Sequence, residues 1–187
     1  PTTQPGEPEP APEVNEGPVQ IGDKMIQFVD KDKNPIPPPP DVDILMSELK
    51  ETMAAGNYTV AEQKVEQLFQ HPFLTLEQRE EVLHLNADLM FAMYHNDLNT
   101  NYEKIVSSAI EAMNANPDSP RNATALLRLG YVNLRTNNLN EAQAYFNMLR
   151  RQFPMDEHIP LTYYYWGEYY YDRGDMLQAA YQFQYVV

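Results

Sequence analysis

The amino-acid sequence predicts an all-α fold in which helical hairpins follow one another, and three observations lead to it. A pattern of small and apolar residues returns after 37 residues in the C-terminal part of the chain. In each copy an Asn or Asp stands four residues before a small or branched apolar residue. Such side chains suit a helix start, because they accept hydrogen bonds from its unpaired amide groups.

Proline-containing breakers separate the copies of the pattern. A fixed period of this length indicates stacked supersecondary units. The repeated positions are Gly130 and Gly167, Ala142 and Ala179, and Phe146 and Phe183.

The first 40 residues form a lead segment of different composition, which holds 11 of the 16 prolines. Residues 1–17 bury too little apolar surface to offset an ordering entropy of about 1–2 kcal/mol per residue, so we expect them to be extended or disordered. The run Pro37–Pro40 predicts a stiff polyproline II spacer. Apolar residues within 19–29 predict an extended stretch, with a short hairpin expected inside 18–34.

From residue 41 to residue 187 the spacing of apolar residues predicts a domain of helices. The first helix begins at Asp41 or Asp43, whose carboxylate can cap it, and runs to about Ala55. His71-Pro72 and Phe153-Pro154 are typical of the breaks between hairpins. Further helices are predicted over residues 58–70, 76–95, 101–115, 121–136, 140–152, 160–173 and 176–187.

The repeat extends toward the N-terminus and resembles a known family. Asn101 begins a copy 37 residues before Asn138, and Asn57 begins another after a longer gap of 44. The glycine in the first helix of a copy, and the alanine and phenylalanine in the second, resemble the tetratricopeptide repeat (TPR). The resemblance covers residues 41–187. It implies a right-handed solenoid of about four hairpins that continues beyond the C-terminal end.

Composition excludes several classes of function. The net charge is −14 and the isoelectric point is near 4.5, whereas contact with nucleic-acid phosphates needs clustered Lys and Arg. An acidic chain is equally unsuited to an anionic membrane surface. No run of 18 apolar residues is present, so we expect no transmembrane segment in this piece. Cys is absent, which excludes disulfides and thiolate metal sites.

Motifs for catalysis are absent from the sequence. The segment Asp30–Asn34 begins like a calcium loop, but Pro35 stands where such a loop needs Gly. The four His residues have no paired spacing on one helix face, which argues against zinc. There is no Gly-rich phosphate loop and no nucleophile elbow. We therefore expect no catalytic residue, no metal, no cofactor and no enzymatic activity.

The richest candidate site is the tyrosine-dense helix that follows Pro160. Gly167 is taken as its small packing position, so Tyr163, Trp166 and Tyr170 are predicted to lie on the buried stripe. In the TPR family the neighbouring helix face lines an inner groove, and aromatic residues in grooves are common binding anchors. The alternative is that these rings only pack against a further repeat. The resemblance implies a partner-binding groove made of Leu127, Tyr131, Arg135, Tyr164, Glu168 and Tyr171.

These observations favour a non-catalytic scaffold that binds another protein or peptide, with a basic partner matching the acidic surface. The aromatic helix and its spacing are similar to bacterial cell-envelope TPR proteins of the outer-membrane assembly lipoprotein and Tol-Pal coordinator type. That resemblance implies the periplasm or the periplasmic face of the outer membrane. Two alternatives stay open, a helical arm of a larger enzyme such as a cell-wall lytic enzyme, and a peptide-binding adaptor. A cytoplasmic location also stays open.

The two ends of the sequence carry expectations of their own. Pro1 stands where a Met would open a full chain, so a signal or anchor is expected to have preceded it. The apolar helix predicted over 176–187 offers more surface than one neighbour covers, which predicts self-association or coverage by a partner.

Overall fold

A computed structural model describes residues 17–21 and 23–186 of the chain. The chain divides into two compact units, Pro1–Asp41 and Val42–Val187. The described residues contain one two-stranded sheet, which lies in the first unit, and eight α-helices, which lie in the second. The expected state of residues 1–16 lies outside the described residues.

The described part of the first unit contains a β-hairpin. Strand β1 (Val19–Ile21) pairs antiparallel with β2 (Lys24–Ile26), and Val19 faces Ile26. This pairing falls inside the range 18–34 in which a hairpin is expected. Gly22, which follows β1 in the sequence, is not among the described residues.

A second reversal follows in the segment whose sequence begins like a calcium loop. Val29 forms a bridge with Pro35, and the Asp30 carboxylate accepts hydrogen bonds from the backbone amides of Asp32 (2.8 Å) and Asn34 (2.9 Å). The bonds from Asn34 and Asp32 hold the pKa of Asp30 below its usual value, since they stabilise the charged carboxylate. The carboxylate therefore closes a turn.

The helices of the second unit begin and end close to the predicted boundaries. The last helix is the exception, because it ends at Phe183 and not near 187, and the amide of Gln184 closes it by donating to the carbonyl of Ala180. The helices are α1 (Val42–Ala54), α2 (Tyr58–Phe69), α3 (Leu76–Tyr94), α4 (Tyr102–Ala115), α5 (Asn122–Arg135), α6 (Leu139–Gln152), α7 (Ile159–Asp172) and α8 (Met176–Phe183).

The helices pack in a regular order. Each even-numbered helix packs on the odd-numbered helix before it, and the odd-numbered helices also touch in sequence, α1 with α3, α3 with α5 and α5 with α7. The odd-numbered helices thus form a continuous row, here called the odd-helix row. Direct contact between α6 and α8 is absent among the described residues.

One contact recurs with the period read from the sequence. Gly130 lies beneath the ring of Phe146, and Gly167 lies beneath the ring of Phe183, so that a Cβ at either glycine would overlap the ring. The glycines therefore let α6 approach α5, and α8 approach α7. Ala142 and Ala179, one turn before each Phe, are buried as well.

The expected helix caps are only partly present. The side chain of Asp175 accepts a hydrogen bond from the amide of Gln178, but Asn57, Asn101 and Asn138 make no side-chain cap bond. The prediction that these three asparagines cap their helices through their side chains is therefore wrong. The Asn138 amide, for example, donates to the Thr136 hydroxyl instead.

A fully formed capping box lies at a different helix start. Thr75 and Gln78 exchange hydrogen bonds at the first turn of α3. Over the described residues, no helix combines the length and apolar character that crossing a bilayer requires.

Candidate partner-binding groove

A row of aromatic rings crosses three helices of the odd-helix row. The ring of Phe91 on α3 lies 5.9 Å from that of Tyr131 on α5, and Tyr131 lies 4.7 Å from Tyr165 on α7, measured between centroids. Pairs at such distances and tilts are favourable beyond the area they bury. All three side chains are partly exposed. We call Phe91, Tyr131 and Tyr165 the aromatic row.

Local packing explains why Tyr131 points along this row. Its neighbour Gly130 faces α6, because the Phe146 ring lies directly on it. Successive residues of an α-helix point about 100° apart, so Tyr131 turns away from α6 and meets α7. The close packing of one hairpin thereby sets the direction of the exposed ring.

A cavity of about 180 Å³ adjoins the aromatic row between the C-terminal ends of α5 and α7. Tyr131 and Arg135 line it from α5, and Tyr165, Glu168 and Tyr169 line it from α7. We call this surface the α5–α7 groove. Its size suits one inserted side chain, and its walls combine aromatic faces with charges of both signs.

The charged side chains of the α5–α7 groove differ in how firmly the protein holds them. The guanidinium of Arg135 lies 3.8 Å from the carboxylate of Asp172, and both side chains are more than half exposed, so the pair contributes little to stability. Arg173 lies 3.6 Å above the ring of Tyr169 and donates to the side-chain oxygen of Asn137. The Arg135–Asp172 pair is therefore available to a partner at small cost, whereas Arg173 is engaged within the protein.

A third arginine, Arg128, holds α5 against α3 under the aromatic row. Arg128 pairs with Asp88 and lies 5.5 Å over the ring of Phe91. Burial lowers the pKa of Arg128 from its usual value, since water stabilises the charged form less well there. The sequence analysis does not single out Arg128, because a lone Arg on a helix carries no spacing signal.

The six residues predicted for the groove divide into three groups. Tyr131, Arg135 and Glu168 line the α5–α7 groove. Tyr164 and Tyr171 lie outside the cavity, 39% and 58% exposed. Leu127 is only 7% exposed and packs in the core, so its prediction as a surface contact is wrong.

Tyr164 is tied to a residue of the groove rather than to the cavity itself. Its hydroxyl donates to the Glu168 carboxylate at 2.8 Å, and this bond raises the pKa of Tyr164. The rings of Tyr164 and Tyr165 are 6.0 Å apart. Tyr164 therefore extends the aromatic row beyond the cavity.

The predicted buried stripe of α7 also needs correction. Tyr163, Trp166 and Tyr170 are only half-buried, whereas Thr162 and Gly167 are buried. The reason is that a cavity stays open over these rings between α6 and α8. Instead the three rings line a second groove, described below.

Tyr165 and Tyr169 are groove residues that the sequence analysis does not identify. With Glu168 and Asp172 they follow the spacing i, i+3, i+4, i+7, which marks one face of a helix. Aromatic residues occupy nearly every position from 163 to 171, and this hides the spacing.

Comparisons with known proteins identify no significantly similar protein. No family model matches the chain, and no curated protein or solved structure is significantly similar to it. Among the described residues, no three His, Asp or Glu side chains are placed to hold a metal ion together.

Proposed function

We propose that the chain is a non-catalytic scaffold that binds another protein or peptide in the α5–α7 groove. The observation that carries this proposal is the aromatic row, which crosses three neighbouring helices of the odd-helix row and ends at a cavity the size of one side chain. Partly exposed aromatic residues next to a pocket are the usual centres of protein interfaces.

The proposal includes the architecture that presents the groove. Residues 42–187 would form a right-handed solenoid of TPR-like hairpins. Two features support this arrangement, namely the unbroken contacts along the odd-helix row and the Gly–Phe contact that recurs after 37 residues. In such a stack the first helices of successive hairpins line a common surface.

The residues of the groove have different proposed roles. Tyr131 is the anchor, because its ring joins the aromatic row to the cavity. Arg135 and Glu168 set the register of the partner through their charges. Tyr164 and Tyr171 extend the contact surface as exposed rings.

The proposed setting is the bacterial cell envelope, either in the periplasm or at the periplasmic face of the outer membrane. Its support is the likeness of the aromatic α7 helix and of the repeat spacing to envelope TPR proteins. A basic partner suits the net charge of −14. Opposite charges accelerate association, so the association rate should fall as salt rises.

The test compares matched variants in capture of envelope proteins. Parent, Tyr131→Ala and Arg135→Ala proteins are immobilised, and proteins captured from an envelope extract are identified by mass spectrometry and then titrated in purified form. Loss of an anchor ring commonly costs about 2 kcal/mol, so Tyr131→Ala should weaken the affinity about 30-fold. Arg135→Ala should weaken it less.

Arg151→Ala is the matched control, because Arg151 is an exposed arginine in the last turn of α6, as Arg135 is in the last turn of α5. It should bind the partner like the parent. Circular dichroism checks that every variant is folded. Equal affinity of parent and Tyr131→Ala for each captured protein would exclude the α5–α7 groove as the binding site.

A further inference from the structure

A second groove lies on the other side of α7, between α6 and α8. Tyr163, Trp166 and Tyr170 form its floor, and its walls come from α6 and α8. The cavity is about 360 Å³, within the range of about 300–1,000 Å³ that small-ligand sites occupy. We call it the α6–α8 groove. None of its lining residues belongs to the α5–α7 groove.

Aromatic rings dominate this surface. The rings of Trp166 and Tyr170 stack with centroids 5.8 Å apart and planes at 26°. Tyr185 lies 5.1 Å from Tyr163 and 5.5 Å from Tyr181, and the Tyr181 and Tyr185 side chains are about half exposed. The site therefore offers flat apolar ring faces together with phenol hydroxyls.

The single charged group of the lining is already engaged by the protein. Arg150 donates to the hydroxyl of Thr162 and to the side-chain oxygen of Asn147, both at 2.8 Å, and lies 4.8 Å over the ring of Tyr163. Its positive charge disfavours a cationic ligand. An anionic ligand would meet only this one cation, and two of the five guanidinium donors are already bound to Thr162 and Asn147.

Besides the tyrosine hydroxyls, the remaining polar side chains of the lining are two neutral amides. Gln143 on α6 and Gln182 on α8 face the groove, and within the described part of the chain neither side chain makes a hydrogen bond. A purely apolar ligand would strip water from these amides without replacing its hydrogen bonds, which is unfavourable. Each amide offers a donor and an acceptor.

The combination of aromatic ring faces with two glutamine amides favours one class of neutral ligand over the others. A proline-rich peptide presents carbonyl acceptors, but prolines have no N–H group, so the amide oxygens of Gln143 and Gln182 would stay unmatched. A sugar ring has hydroxyls that both donate and accept, and it has an apolar C–H face that can lie on an aromatic ring. We propose that the α6–α8 groove binds a neutral oligosaccharide, with Tyr170 and Trp166 as the platform and the two glutamines as hydrogen-bonding partners.

The chain carries its own reporter for this test. Trp166 is the single tryptophan of the sequence, and it lies on the floor of the groove. Its fluorescence is titrated with maltotetraose, cellotetraose and N,N',N'',N'''-tetraacetylchitotetraose, each up to about 10 mM. At least one of these neutral tetrasaccharides should shift the emission in a saturable manner. Decaproline serves as the peptide comparison and should leave the emission unchanged.

Three variants locate the site. Tyr170→Ala should weaken sugar binding at least about 10-fold, because it removes half of the platform. Gln182→Ala keeps every ring and should weaken binding about 3–10-fold by deleting one hydrogen-bonding group. Tyr171→Ala is the matched control, since Tyr171 is an exposed tyrosine of the same helix outside the groove, and it should bind like the parent.

The proposal is overturned if no tetrasaccharide changes the emission of the folded parent. It is equally overturned if decaproline binds and the sugars do not, or if Gln182→Ala and Tyr171→Ala bind sugar alike. Should Tyr170→Ala fail to fold by circular dichroism, the comparison of Gln182→Ala with Tyr171→Ala decides. Binding of a protein partner in the α5–α7 groove is a separate outcome, because Tyr131→Ala leaves the α6–α8 groove intact.

Discussion

Gly130→Ala is expected to destabilise the helical unit, although alanine is the better helix former. A Cβ at position 130 would overlap three atoms of the Phe146 ring, Cδ1, Cε1 and Cζ. Phe146 is fully buried, at 0% exposure, so its ring has no free space to turn into. The added methyl group therefore has to push α6 away from α5.

The magnitude follows from two opposing effects. Replacing glycine in a helix interior by alanine contributes about 1 kcal/mol of stability. Overpacking a filled core costs about 1–3 kcal/mol, and an overlap with three ring atoms favours the upper end. The expected net loss is about 1–2 kcal/mol. For a unit of this size, that lowers the melting temperature by about 2–8 °C.

Urea unfolding followed by circular dichroism measures this loss, with Gly167→Ala as the matched control. Gly167 meets Phe183 in the same way, but Phe183 is partly exposed on the last helix. Its ring can shift, so the control should lose less stability than Gly130→Ala. Combining Gly130→Ala with Phe146→Leu should cost less than the sum of the two single changes, because they share one contact. A Gly130→Ala protein as stable as the parent would refute this packing argument.

Two further predictions concern buried polar groups. Tyr102→Phe removes the hydroxyl that donates to the oxygen of buried Asn133 at 2.7 Å. It should cost about 1–3 kcal/mol in urea unfolding, whereas Tyr164→Phe on the surface should cost less than about 0.5 kcal/mol. His84 is 6% exposed, and burial lowers its pKa, with Glu80 opposing the shift. The folded state therefore takes up a proton at His84 less readily than the unfolded state does. The stability that neutral His84 contributes is present above the unfolded pKa of about 6.5, and it is lost as the pH falls below that value. Urea midpoints at pH 7.5 and pH 5.0 should differ less in His84→Gln than in the parent, and an equal difference would contradict this origin.

The helices of this protein are predictable from its sequence because strong local signals mark their ends. Gly56 and Gly174 adopt positive φ angles of 73° and 77° directly after helical segments, a conformation that glycine adopts without strain. Prolines mark other boundaries. The last helix lacks such a signal, and its end at Phe183 is misplaced in the sequence prediction for that reason.

The candidate groove is less predictable, because side-chain direction depends on contacts between helices. Leu127 shares the predicted face with Tyr131, yet it packs into the core beside α6 and is buried. Phe91 lies on α3, where the repeat pattern is weak, and its 5.9 Å contact with Tyr131 connects it to the groove. Neither fact is encoded in the local spacing of the residues.

Helix α7 explains why the two grooves must be tested separately. Tyr165 and Tyr169 face α5, whereas Trp166 and Tyr170 face the space between α6 and α8. One helix therefore supplies rings to both surfaces. Gly167 of the same helix contacts the Phe183 ring, and this small residue lets α8 pack closely. A run of tyrosines that has no apparent period is therefore two regular stripes about 100° apart on one helix. A substitution in one stripe should alter one binding surface and leave the other intact. A loss of the Gly167–Phe183 contact should disturb the α6–α8 groove, because only that groove is lined by α8.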